Sequence, residues 1–136
     1  MPARSSFDYA VLRVVPRVER EEFVNAGVIL FCRTRAFLAA RVALDEQRLL
    51  ALAPELDAET LAELRAHLDT IPRICAGARD AGPIARLSQA ERFHWLVAPR
   101  STMVQPSPVH SGLCTNPAAA LNRLFAEMVQ RPHPIS

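Results

Sequence analysis

Residues 24–33 read VNAGVILFCR, an apolar stretch that predicts a buried strand at the centre of the fold. Its side chains should alternate, with one face running from Val24 to Cys32 and the other from Asn25 to Arg33. Asn25 and Gly27 are poor strand formers in an otherwise apolar run. Gly27 therefore marks either a β-bulge or a point where another backbone approaches closely. The apolar part is far too short to cross a bilayer, which takes about 20 residues.

Two further segments have strand character on either side of this stretch. Residues 8–15, DYAVLRVV, are rich in valine and end at Pro16. Residues 36–44, AFLAARVAL, follow the short turn at Thr34 and Arg35. Because the connections are short, the three segments should form an antiparallel meander.

Helix signals dominate from residue 45 onward. Asp45 is the expected N-cap of a short helix, 46–53, and Asp57 that of a longer helix. The longer helix has an amphipathic stripe and should kink or end at Pro72, which lacks a backbone donor. The stripe consists of Leu61, Leu64, Leu68 and Ile71.

The C-terminal third predicts two more helices separated by an irregular or short-strand segment, 100–115. Ser88 to Glu91 fits a capping box that starts the first of them. Asn116 before Pro117 starts the last helix, about 117–130, and residues 131–136 should fray. The order predicts one α+β domain, 1–136, with a small antiparallel sheet of three or more strands packed against three to four helices.

The composition of the 136 residues, 50% hydrophobic and 22% charged, is that of an ordinary globular protein. A net charge of +2 with 6% aromatic residues argues against nucleic acid and membranes as partners. All sixteen basic residues are arginine, which either reflects a GC-rich genome or uses the bidentate guanidinium. Cys32, Cys75 and Cys114 are widely spaced, so we expect free thiols, no metal and no cofactor. With a polar start that lacks a secretory signal, they indicate a cytoplasmic protein.

Two blocks of the sequence, YAVLRVVPRVEREEFVNAGVILF and RFHWLVAPRSTMVQPSPVHSG, resemble the signature blocks of the DUF3037 family. The resemblance covers nearly the whole chain and implies a small bacterial protein. It brings no catalytic residues with it. Some relatives are associated with genes for HipA-like kinases, which makes such a kinase the implied protein partner.

The second block collects polar side chains in a proline-stiffened segment. Arg100, Ser101 and Thr102 follow the expected end of a helix and could hold a phosphate or carboxylate. Alternatively, the hydroxyls form turn hydrogen bonds and Arg100 pairs with a carboxylate. Gln105, Ser107 and His110 could complete a polar cleft. In the same block, Trp95 beside Phe93 is expected to belong to the core rather than to a base-stacking surface.

The first block supplies Arg20 and Asn25. We therefore predict one solvent-accessible pocket where both blocks converge, formed by Arg20, Asn25, Arg100, Ser101, Thr102, Gln105 and His110. His110 is its candidate acid–base residue, because histidine titrates near neutrality. The chain has no glycine-rich phosphate loop, GxSxG, HExxH or CxxC motif, which argues against a self-sufficient enzyme.

These observations leave two functional hypotheses. The first is a cytoplasmic accessory or interaction protein whose partner is a HipA-like kinase or another protein. The second is an enzyme or sensor that acts on a phosphorylated or nucleotide-like anionic small molecule, with Arg20 and Arg100 as anion clamps.

Overall fold

A computed structural model describes residues 3–130, which form an antiparallel sheet with helices on both faces. The α+β expectation is confirmed, while the expected frayed tail at 131–136 lies outside the described residues. Within residues 3–130, no helix is both long and apolar enough to cross a membrane. The elements are β1 (Ser5–Val14), β2 (Val24–Cys32), β3 (Phe37–Val42), α1 (Glu46–Leu52), α2 (Ala58–Cys75), α3 (Gln89–Leu96), β4 (Val104–Pro106), β5 (His110–Cys114) and α4 (Pro117–Phe125), which continues as a π-helical turn, Ala126–Gln130.

Strand β1 is central because both of its edges are paired. The order is β3-β2-β1-β4, and β5 pairs with the other half of the same β1 edge. Buried Ser107 lies between β4 and β5, where its backbone N–H donates to the Val11 carbonyl at 2.7 Å. The Ser107 hydroxyl oxygen accepts the Val11 N–H at 2.8 Å. Ser107 therefore pairs both backbone groups of Val11 in the gap between β4 and β5. Leaving the buried Val11 N–H unpaired would lower the free energy of unfolding by about 1–3 kcal/mol.

Gly27 lies at a β-bulge in β2. A bulge was one of the two explanations that the sequence suggested for this glycine. Leu12 is opposite Gly27 and Arg13 is opposite Asn25, so Ala26 is the extra residue. A Cβ on Gly27 would lie 2.8 Å from the Arg41 carbonyl oxygen, so the close approach is also present.

The bulge overturns the predicted uninterrupted alternation of β2 side chains. Val24 and Ala26 pack into the core on the α1–α2–α3 side of the sheet, whereas Val28, Leu30 and Cys32 pack into the core on the α4 side. The prediction was wrong because the extra residue shifts the phase of the alternation by one position. The sheet is therefore apolar on both faces, and we call them the α2 face and the α4 face.

Helix α2 continues three residues beyond Pro72, so it does not end at that proline. Its last turn is stabilised by tertiary contacts. Ile74 and Cys75 are buried in the core, and the buried Arg92 donates to both of their carbonyls, at 3.2 and 3.3 Å. A guanidinium suits this position because it meets unpaired carbonyls and the negative end of the helix dipole.

Gly27→Ala should lower the free energy of unfolding by about 1–3 kcal/mol, because its Cβ would be forced against the Arg41 carbonyl and strand β3. Urea denaturation measures the change. Ser6→Ala, at an exposed position of β1, should stay within about 0.5 kcal/mol. Equal stability of the two variants would contradict the close approach at Gly27.

Asp57 should make stability depend on pH in the acid range. Hydrogen bonds from the Thr60 backbone N–H and then from its side chain lower the pKa of Asp57 below the usual 3.8. This contribution is present above the ordinary pKa and is lost as the pH falls through the lowered folded-state pKa. Asp57→Asn keeps a capping oxygen and should reduce the loss of stability below about pH 4.

Urea denaturation at a series of pH values measures this slope, with Asp69→Asn on the exposed side of the same helix as the control. A slope that Asp57→Asn leaves unchanged and Asp69→Asn reduces would contradict the assignment to Asp57.

Candidate functional site

Arg100 is on the α2 face, where it folds back onto the end of helix α3. Its Nη2 donates to the Trp95 carbonyl at 2.6 Å, and its guanidinium carbon lies 4.4 Å from the Trp95 ring centroid. Arg100 therefore caps α3 and stacks on an aromatic ring, rather than pairing with a carboxylate. The Trp95 side chain is 41% exposed, which corrects its expected place in the core; Phe93, two residues earlier, is buried there instead.

A small cleft of about 130 Å³ lies beside Arg100 and Trp95. Its floor includes Leu12, Ile71 and Val104. Nucleotide-sized ligands occupy pockets of about 300–1,000 Å³, so this cleft is too small for one. Arg100 thus has one donor and the face of its guanidinium engaged beside a cleft of restricted size.

Thr102 and Gln105 shape the turn that leads into β4. The Thr102 hydroxyl donates to the Val104 carbonyl at 3.0 Å, and Gln105 Nε2 donates to the Thr102 carbonyl at 2.8 Å. Ser101 is exposed at the start of this turn. The turn-forming alternative therefore describes Thr102.

On the α4 face, Asn25 and Gln105 flank Arg13, a residue that was not among the predicted site residues. Arg13 of β1 is the register partner of Asn25 on β2 and of Gln105 on β4. Directly opposed residues project from the same face of a sheet. We call these three residues the Arg13 row.

The polar atoms of the Arg13 row are only partly satisfied. Asn25 Nδ2 donates to the Met128 carbonyl at 3.0 Å, while Asn25 Oδ1 is buried without a hydrogen-bond partner among the residues that the structure describes. Arg13 Nε is also buried without a partner, and the guanidinium carbon lies 4.2 Å from the Phe23 ring centroid. The row thus holds an unpaired donor and an unpaired acceptor on neighbouring strands.

The remaining predicted site residues lie apart from the row or at its edge. Arg20 forms an exposed ion pair with Glu22 at 2.7 Å. His110 is exposed on β5, and its ring centroid lies 5.5 Å from that of its register partner Tyr9. The structure therefore brings Asn25 and Gln105 together and does not bring Arg100 to them. The reason is geometric: Arg100 turns back to α3 before β4 joins the sheet, whereas Gln105 projects from β4 on the opposite face.

Arg13 could have been selected from the sequence. It is a charged residue inside AVLRVV, residues 10–15, which are otherwise apolar, and the same argument did select Asn25. What the sequence could not supply was the register that makes Arg13 the neighbour of both amides.

Comparison with known families gives a match over residues 9–129 to the model described as "Protein of unknown function (DUF3037)". The chain belongs to the DUF3037 family. The resemblance of the two sequence blocks is thereby confirmed. No curated protein and no solved structure was found to match the chain.

This DUF3037 protein also has a groove of about 460 Å³ at Phe23. The groove lies between β2 and α1, and its lining includes Phe23, Ala51 and Leu52. Phe23 is 42% exposed and Leu52 is 37% exposed, so two large apolar side chains meet solvent in one place. We call this feature the Phe23 groove.

Arg100→Ala should lower the free energy of unfolding of the DUF3037 protein by about 1–2 kcal/mol, since it removes both a helix-capping hydrogen bond and a cation–π contact. It should also shift the emission of Trp95, the only tryptophan, to longer wavelength. Urea denaturation followed by Trp95 fluorescence measures both effects. Arg79→Ala, at an exposed arginine, is the control and should stay within about 0.5 kcal/mol. No difference between the variants would contradict the capping role.

Proposed function

We propose that this member of the DUF3037 family is a non-catalytic interaction protein that binds a protein partner through the Phe23 groove. The observation that carries the proposal is the exposure of Phe23 and Leu52 within one groove. Grouped exposed apolar side chains rimmed by polar residues are typical of protein-binding surfaces. Aromatic residues also contribute disproportionately to the energy of such interfaces.

The geometry lends less support to the alternative, an enzyme or sensor for a phosphorylated or nucleotide-like ligand. Its two anion clamps, Arg20 and Arg100, are engaged by Glu22 and by the Trp95 carbonyl, respectively. The acid–base candidate His110 is exposed and in contact with the Tyr9 ring. An enzyme would require these groups to turn toward a common substrate.

The partner to test first is a HipA-like kinase, which the family resemblance implies. The interaction is proposed to take place in the cytoplasm. Cys32, Cys75 and Cys114 are free and buried, which suits a reducing compartment.

Phe23→Asp and Leu52→Asp should each weaken binding of the purified HipA-like kinase encoded beside a DUF3037 gene by about tenfold or more, because a buried carboxylate would replace an apolar contact. Isothermal titration calorimetry measures the affinity. Leu113→Asp is the matched control, since Leu113 is 59% exposed on β5, away from the groove.

Three results are informative. Selective loss with the two groove variants supports the groove as the binding surface. Equal loss with Leu113→Asp contradicts the groove, and no binding by the unmodified protein contradicts the kinase as partner. Near-ultraviolet circular dichroism of each variant checks that the fold is kept.

A further inference from the structure

Arg13 differs from Arg41 and Arg100, the two other arginines that stack about as closely on an aromatic ring; Arg33 lies farther from the Phe31 ring, at 5.7 Å. The guanidinium carbons of Arg13, Arg41 and Arg100 lie 4.2, 4.3 and 4.4 Å from ring centroids. Arg41 also donates to Asn122 Oδ1 at 3.0 Å, and Arg100 donates to the Trp95 carbonyl. Within residues 3–130, the Arg13 guanidinium has no hydrogen bond and no ion pair. It is held in position by Phe23 but lacks an acceptor.

This lack is costly because Arg13 is partly buried. Its Nε is enclosed without an acceptor, whereas its terminal nitrogens reach solvent. A charged donor that loses water without gaining an acceptor loses more free energy than a neutral one. An acceptor supplied from outside the chain would recover part of that energy. Stacking on Phe23 also reduces the freedom that the side chain would lose on binding.

The neighbours of Arg13 define the chemistry that fits. The amide nitrogens of Asn25 and Gln105 donate to the carbonyls of Met128 and Thr102, respectively. These hydrogen bonds hold the two amide side chains in place on either side of Arg13. Each amide nitrogen keeps a second N–H, but the only positive charge among the three residues is that of one guanidinium. A single fork with one positive charge matches a carboxylate, whereas a phosphate dianion usually recruits several donors or a helix N-terminus.

We infer that the Arg13 row is a carboxylate-binding site that receives an aspartate or glutamate side chain of a partner protein. The source of the carboxylate rests on the proposed function, because Phe23 joins the two features: its ring contacts Arg13 and also lines the Phe23 groove. The partner segment therefore carries an acidic residue beside an apolar one. The carboxylate binds Arg13, and the apolar side chain enters the groove.

Nuclear magnetic resonance of the ¹⁵N-labelled full chain tests the site directly, with a capped tetraglutamate peptide as the probe at constant ionic strength. The Arg13 Nε–H signal and the Asn25 and Gln105 amide side-chain signals should shift in a saturable way. A capped tetraglutamine peptide should cause no such shift. Inorganic phosphate should bind at least about tenfold more weakly than tetraglutamate.

Arg13→Gln should weaken tetraglutamate binding about tenfold or more, since it removes the guanidinium. Arg20→Gln is the matched control, because it removes the same charge from an exposed ion pair, and should bind within about twofold of the unmodified protein. Arg13→Lys keeps the charge, covers the case in which Arg13→Gln does not fold, and should bind with intermediate affinity because it loses the fork.

Three outcomes would overturn the inference: no saturable shift of the Arg13 signal, equal weakening by Arg13→Gln and Arg20→Gln, or preference for phosphate. Any of them, together with kinase binding that still depends on Phe23 and Leu52, would reject the carboxylate site and leave the proposed function standing. Tetraglutamate binding at Arg13 without kinase binding would do the reverse.

Discussion

The pairing of β1 along both edges is the constraint on which the rest of the structure depends. One edge pairs with β2, and the other pairs with β4 and β5, two short strands on either side of Ser107. Successive side chains of β1 point to opposite faces of the sheet. Leu12 therefore packs on the α2 face and Phe7 on the α4 face. A substitution at a buried position of this strand therefore acts on one helix layer or the other. A charged residue within the strand has to be accommodated between the neighbouring strands.

The position of α4 explains how Arg13 is accommodated. Helix α4 packs over β2 and β3, where Arg41 stacks on Phe125, and its π-helical end reaches Asn25 through the Met128 carbonyl. The end of β1 that bears Arg13 lies beside this cover, so its guanidinium meets Phe23 and solvent. A valine there would be easier to bury. The protein instead holds the charged Arg13 guanidinium at the margin of the core. Residues that folding alone would not favour are often found at functional sites.

Local signals in the sequence predicted the helices because a helix N-terminus is determined by residues close in the chain. Each of the four expected caps accepts the backbone hydrogen bond that defines it; these caps are Asp45, Asp57, Ser88 and Asn116. The site depended on distant partners. The bulge after Asn25 is a property of two paired strands, the exposure of Trp95 depends on where α3 lies, and the row around Arg13 exists only in one register. No window of the sequence contains those relations.

The register also changes what the association of the two sequence blocks means. They meet through backbone pairing of β1 with β4 and through the hydroxyl of Ser107, rather than through a pocket shared by Arg100 and Asn25. Much of the second block is therefore accounted for by folding: Arg100 caps α3, Thr102 forms a turn and Ser107 completes β1. Gln105 is the residue by which the second block reaches the α4 face beside Arg13. The chemistry left unexplained by folding thus lies with the first block, in a guanidinium that stacks on an aromatic ring and has no hydrogen-bond acceptor among residues 3–130.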